Sequence, residues 1–129
     1  MTARLANFEI HASDPDVSVA FYTAALGWTF KPMTFGEVRY WQIVTSDGMP
    51  SGRLIKRHGD GPQAGAAVMG AVITALVDDI DAACANTSEA GGVPAMEKFP
   101  IPGEGWQAYF LDPDHNVFGL FQADPGAGS

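Results

Sequence analysis

The feature that most constrains the fold of this chain is an internal repeat. Asp14 can start a helix and Gly27 can end one, and the same pair returns 65 residues later at Asp79 and Gly92. In each half, the segment between them has helical spacing, and strand-like runs lie on both sides of it. A repeat of this length, with one helix and four strands per copy, indicates duplication of a supersecondary unit.

The two copies predict a single α+β domain built from two βαβββ modules. The first module covers residues 5–57, a linker rich in Gly, Asp and Pro covers 58–65, and the second module covers 66–122. Residues 123–129 are expected to form a frayed tail. In each module the helix should cover one face of a sheet, which leaves the opposite, concave face to line a shared cavity.

Capping residues and turns fix the predicted element ends. Asp14 can accept hydrogen bonds from the free backbone N–H groups of the first turn, and Pro15 is favoured at the first helical position. Gly27 can adopt the left-handed conformation that ends many helices. His115 lies in a tight turn where an unusual backbone conformation is expected. The predicted strands are 5–11, 28–33, 40–45 and 52–57 in the first module, and 71–78, 93–98, 106–111 and 117–122 in the second.

Composition excludes several classes of partner. The chain is 47% hydrophobic and 17% charged, which is typical of a packed globule. With seven Lys and Arg and a formal net charge of −8, neither nucleic acid nor an anionic membrane is expected to bind. The N-terminus has no apolar signal region, so a cytoplasmic location is expected. Cys84 is alone, which excludes an internal disulfide, and it is expected to act as a small buried hydrophobe.

Three groups of residues, in this order and spacing, resemble one known family, the glyoxalase/bleomycin-resistance/dioxygenase (vicinal oxygen chelate) superfamily. The resemblance spans residues 5–122 and implies a glyoxalase-like half-barrel with a concave cavity. The groups are Phe8-Glu9-Ile10 with Asp14-Pro15 and Phe21-Tyr22-Leu26-Gly27-Trp28; Val77-Asp78-Asp79-Ile80-Asp81 with Ala90-Gly91-Gly92; and Gly105-Trp106 with Asp112-Pro113-Asp114-His115-Asn116 and Phe118-Gly119-Leu120-Phe121-Gln122.

The resemblance also implies positions for metal ligands, which relatives place on the first strand of each half and on the last strand. Here these positions are identified as Asn7, Val72 and Gln122. Neutral amides and a valine cannot offset the cost of stripping water from a dication, so no metal or other cofactor is expected. A metal site relocated to Glu9 and His11 stays open as an alternative.

Strand alternation places Asn7, Glu9 and His11 on the predicted cavity face. In an apolar cavity, desolvation would favour the protonated form of Glu9, which could then act as a general acid or base. The competing interpretation is structural: Glu9 pairs with Arg39 or Arg53 on a neighbouring strand, and His11 is exposed near the strand end. Further ligand-binding candidates are Tyr40, Trp106, Phe118, Leu120 and Gln122, with Trp106 favoured because it follows a Gly-rich loop.

These observations lead to a principal function and two alternatives. The first is binding of a small organic molecule, as in bleomycin-binding relatives, without a metal. The second is a metal-dependent lyase or dioxygenase acting on vicinal oxygens, and the third is a metal-free site in which Glu9 moves a proton. A homodimer is expected from the resemblance and from the small apolar residues at 66–71.

Overall fold

A computed structural model describes residues 1–3, 5–48, 50–68 and 70–129. The described residues form two helices and eight strands. In chain order these elements are β1 (Phe8–Ala12), α1 (Pro15–Leu26), β2 (Thr29–Phe35), β3 (Val38–Val44), β4 (Pro50–Lys56), β5 (Ile73–Leu76), α2 (Ile80–Glu89), β6 (Val93–Ile101), β7 (Gly105–Leu111) and β8 (Val117–Ala123).

The strand order confirms the repeat. The first sheet has the order β1-β4-β3-β2 and the second the order β5-β8-β7-β6, so each strand occupies the same place in both modules. In each sheet the first strand pairs parallel with the fourth, while the other pairs are antiparallel. The two sheets do not join into a closed barrel in the described ranges. The predicted α+β class with two βαβββ modules is therefore confirmed.

Both helices begin at their predicted Asp caps. Helix α1 also ends at the predicted Gly27, whereas α2 ends before Gly92, and Gly91 is the residue with a positive φ there. Asp14 accepts a hydrogen bond from the Val17 N–H, and Gly27 ends α1 with φ 70°. Asp79 accepts from the Ala82 N–H to start α2, and Gly91, with φ 109°, follows its last turn. No helix in the described ranges is long and apolar enough to cross a membrane.

The two modules share one core. Buried side chains of the first sheet, such as Ile10 and Leu54, belong to the same cluster as Phe118 and Leu120 of the second sheet. Phe21 of α1 meets the Phe118 ring edge-on, with centroids 5.8 Å apart. We call the face of each sheet that points away from this core its open face.

The structure corrects the predicted ends of the chain and of two strands. β1 begins at Phe8 rather than at residue 5, and Leu5 is 87% exposed. β5 begins at Ile73, two residues later than predicted. The tail is not frayed: Ala127 is buried, its carbonyl accepts from the Gly103 N–H, and the Asp124 N–H donates to the Glu104 carbonyl. These bonds anchor the tail to the loop before β7, which composition alone did not reveal.

Candidate ligand-binding face

The predicted group on β1 lies on the open face of the first sheet. Ile10 and Ala12 point into the core, so alternation turns Glu9 and His11 outward. Asn7 is half-buried just before the strand begins. The His11 Nε2 atom lies 3.3 Å from Oε1 of Glu9, and the Arg53 Nη1 atom lies 3.6 Å from its Oε2.

These contacts favour the structural interpretation of Glu9 over the apolar one. The Glu9 side chain is 40% exposed and lies between a cation and an imidazole, which is not the apolar cavity that the acid–base hypothesis assumed. Arg53 is the partner on β4, directly across from Glu9. Arg39, the other expected partner, instead places its guanidinium 4.9 Å from the centre of the Trp41 ring.

Tyr40 also lies on this open face. Tyr40 on β3 is paired with Ile55 on β4, and Ile55 is in turn paired with His11 on β1. Cross-strand neighbours point to the same side of a sheet, so Tyr40 and the β1 group share one surface.

The remaining predicted ligand-binding residues lie on the core side of the second sheet, so the structure does not bring them together with Asn7. Phe118 and Leu120 are buried in the shared core. The Gln122 Oε1 atom accepts from the Ile80 N–H at the start of α2, at 2.9 Å. Trp106, across from Gln122, donates from its indole N–H to Asp124 at 3.0 Å. Both polar groups therefore support the fold in this chain.

The open face of the second sheet carries residues that the sequence analysis missed. Thr74 and Tyr109 stand on either side of Gly119. Gln107 is buried, and its Nε2 atom lies 3.4 Å from the Thr74 hydroxyl oxygen. Because strand residues alternate between faces, buried Phe118 and Leu120 imply that Gly119 lies on the open face. The sequence prediction instead chose Phe118 and Leu120 as ligand-binding residues because they are apolar.

The donor atoms at the ligand positions implied by the resemblance do not suit a divalent ion. Asn7 offers one neutral amide, Val72 offers nothing, and Gln122 has its amide oxygen at the start of α2. Among the described residues, no group of three or more His, Cys, Asp or Glu side chains could hold a metal ion. A divalent metal needs several charged or imidazole donors around one point, so the ligand set implied by the resemblance does not fit here.

A polar cluster at the β7–β8 turn locks the two modules together. Arg57, at the end of the first sheet, donates to the Asp114 carboxylate at 3.0 Å and to the Asn116 amide oxygen at 2.7 Å. The Tyr22 hydroxyl donates to the buried Asp112 carboxylate at 2.7 Å. His115 adopts φ 65°, as its turn position predicts. The side chains of the segment from Asp112 to Asn116 therefore hold the two modules against each other.

A cavity of about 670 Å³ lies at the end of the first sheet beside the N-terminus of α1. Trp41, Arg39 and His58 are among its lining residues. Cys84 lines a smaller cavity under α2, where burial raises the pKa of its thiol and the nearby Asp81 adds to the effect. A raised pKa means little thiolate at neutral pH, so Cys84 is a poor nucleophile.

The chain is similar in sequence to a known family and to a protein named as a glyoxylase, and it is similar in structure to solved proteins. CFP32 of Mycobacterium bovis, a protein named as a glyoxylase, is 28% identical over 117 residues, which cover 91% of this chain and 43% of CFP32. The chain thus spans less than half the length of that curated relative.

Solved structures agree on the fold. Fosfomycin resistance protein FosX from Listeria monocytogenes, in complex with Mn(II) and sulfate, is 17% identical, with a TM-score of 0.73 and coverage of 96% of this chain and 93% of that one. TnmS3, an antibiotic binding protein from Streptomyces sp. CB03234, is 24% identical, with a TM-score of 0.69 and coverage of 96% and 99%.

The family model describing the Glyoxalase/Bleomycin resistance protein/Dioxygenase superfamily matches residues 4–120, which include nearly all of both modules. The chain belongs to this superfamily.

Proposed function

We propose that this protein binds a small organic molecule on the open face of its first sheet, and that it does so without a divalent metal. The observation that carries the proposal is the composition of that face. Partly buried Tyr40, Ile55 and Met33 form an apolar row beside a polar row that includes Glu9 and Arg53. Ligand sites typically combine such an apolar surface with a few polar groups that fix orientation.

The donor chemistry supports binding over metal-dependent catalysis. Proteins of this fold include FosX, solved with Mn(II), and TnmS3, which binds an antibiotic, so the fold alone favours neither activity. In this chain the three implied ligand positions supply no acid and no imidazole. Glu9, the nearest carboxylate, is paired with Arg53 and His11. The alternative of a metal-dependent lyase or dioxygenase therefore needs donors that these positions lack.

The proposal includes a homodimer, because one sheet face covers only one side of a ligand. Pockets for small molecules usually bury most of the ligand surface. A second copy of the chain laid over the open face would supply the missing wall, and closed two-fold dimers are the commonest protein assemblies. A cytoplasmic location stays a prediction.

Native mass spectrometry combined with elemental analysis tests the proposal on protein purified without chelators. We expect a non-covalent adduct of organic-molecule mass and less than stoichiometric divalent metal. One equivalent of zinc, nickel, iron or manganese per chain, lost in Glu9→Ala but kept in Asp16→Ala, would instead establish a relocated metal site and support the enzyme alternative.

A further inference from the structure

Four polar residues form one continuous row across the open face of the first sheet. Glu9 on β1 stands across from Arg53 on β4, Arg53 across from Gln42 on β3, and Gln42 across from Lys31 on β2. Residues directly opposite on neighbouring strands point to the same side. With strands about 4.8 Å apart, Arg53 and Lys31 stand roughly 10 Å apart at the backbone, with the Gln42 amide between them.

This row has donors that nothing in the described part of the chain satisfies. Neither Lys31 nor the Gln42 side chain makes a hydrogen bond or an ion pair there. The contact of Arg53 with Glu9, at 3.6 Å, is longer than a hydrogen bond, and the Arg53 side chain is 49% exposed. Two cations against one carboxylate make this row locally positive, although the chain has a formal net charge of −8 and only seven Lys and Arg.

The next row along the strands is suited to a flat ring. It contains His11, Ile55, Tyr40 and Met33, all partly buried. An aromatic ring lying on Tyr40 and Ile55 would place a substituent over the Gln42 amide, between Arg53 and Lys31. A carboxylate there can accept from a guanidinium, an amide and an ammonium group together.

We infer that the ligand is a planar aromatic carboxylate, selected through its charge by Arg53 and Lys31 and oriented by Gln42. This inference rests on the proposed function and adds the ligand class to it. Glu9 has the opposite effect on selection, because it competes for Arg53 and repels an anion.

The test uses the full chain and a matched pair of probes, 2-naphthoate and its neutral analogue 2-naphthamide, with affinities measured by isothermal titration calorimetry at low salt. We expect naphthoate to bind more tightly, and Lys31→Ala or Arg53→Ala each to weaken it about fivefold, the worth of one exposed charge contact. Glu9→Gln should strengthen naphthoate binding. The same substitutions should change the affinity for naphthamide less than that for naphthoate, because naphthamide carries no charge.

Lys98→Ala is the control for a general change in charge, since Lys98 belongs to the second sheet and pairs with Asp81. It should leave both affinities unchanged. Equal binding of the two probes, or naphthoate binding indifferent to Lys31 and Arg53, would overturn the inference while leaving metal-free binding intact. Failure of both probes would overturn the inference too, whereas the proposed function is decided separately by the co-purified adduct and the metal content.

Discussion

Among single residues, Asp112 connects the two modules through a buried hydrogen bond. Its carboxylate is buried and accepts from the Tyr22 hydroxyl, from the Asn116 amide and from two backbone N–H groups of its own turn. Burial raises the pKa of Tyr22 well above its usual range, and the charge of Asp112 adds to the rise. The hydroxyl therefore stays protonated and donates across the physiological pH range.

Tyr22→Phe tests this contact. Removing the hydroxyl leaves a buried carboxylate oxygen with one donor fewer, which should lower the free energy of unfolding by about 1–3 kcal/mol. Urea denaturation measures the change. Tyr40→Phe is the matched control, because the Tyr40 hydroxyl makes no hydrogen bond with the described residues, and equal losses in the two variants would contradict this account.

Asp114 gives the molecule a predictable response to acid. Burial alone would raise the pKa of Asp114, but hydrogen bonds from Ser13 and Arg57 outweigh it and hold the pKa below its usual value. A carboxyl whose pKa is lower in the folded state stabilises the fold above the unfolded pKa of about 3.9, and this contribution disappears as the pH falls through the folded pKa.

Asp114→Asn should therefore lower stability at neutral pH and reduce the further loss below about pH 4. The measurement is thermal unfolding of wild type and variant between pH 7 and pH 2, with Asp16→Asn as an exposed control. Parallel pH profiles for wild type and Asp114→Asn would show that the Arg57–Asp114 contact does not contribute to stability.

Among the elements, β8 carries a glycine where side chains from two neighbouring strands approach it closely. Phe118 and Leu120 point into the core, while Gly119 lies on the open face beneath Gln107. A Cβ atom at Gly119 would lie 2.5 Å from the Gln107 amide nitrogen and 2.6 Å from the Thr74 hydroxyl oxygen. A larger residue at this position would therefore displace the Gln107 or Thr74 side chain.

Gly119→Ala should lower the free energy of unfolding by about 1–3 kcal/mol, because the added methyl group overpacks this point. Gly126→Ala is the control, since a Cβ atom there meets its nearest neighbour at 3.4 Å. If the clash is with Gln107, the double variant Gly119→Ala/Gln107→Ala should be more stable than the sum of the two single losses predicts. Strict additivity would locate the strain elsewhere.

Part of the candidate binding face could be predicted from strand alternation, and part of it could not. On β1, buried Ile10 and Ala12 alternate with polar Glu9 and His11, so alternation alone identified the open face. The second sheet carries aromatic side chains on both faces, and hydrophobicity therefore could not tell the core face from the open one. The cross-strand row that includes Gln42 and Lys31 depends on register, which a strand pattern does not contain.

For the whole molecule, the duplicated pattern predicts two βαβββ modules, and the family resemblance supports the same architecture. Asp14 and Asp79 start the two helices, and the identical strand order of both sheets follows from copying one unit. The family follows from motifs spread over the length of the chain. Association with a second copy depends on which side chains share an exposed surface, and the sequence shows only which apolar residues are neighbours along the chain.

The protein is expected to be a homodimer. The small residues at 66–68, 70 and 71 are exposed, as are Phe35 and Leu76, at 80% and 75%. Exposed apolar side chains of this kind are typical of interfaces. Sedimentation equilibrium should give twice the chain mass of 13.6 kDa at micromolar concentration. A monomer at high micromolar concentration would remove the dimer from the account.

Metal-independent binding is tested most directly by a thermal-shift screen of aromatic carboxylates and neutral aromatic compounds, performed in EDTA and again after addition of manganese(II), nickel(II) or zinc(II). A ligand that binds only the folded state raises the Tm, and the rise grows with the logarithm of the ratio of ligand concentration to Kd. We predict compounds that raise the Tm in EDTA and raise it equally when metal is present. Stabilisation that appears only after metal is added would contradict the account.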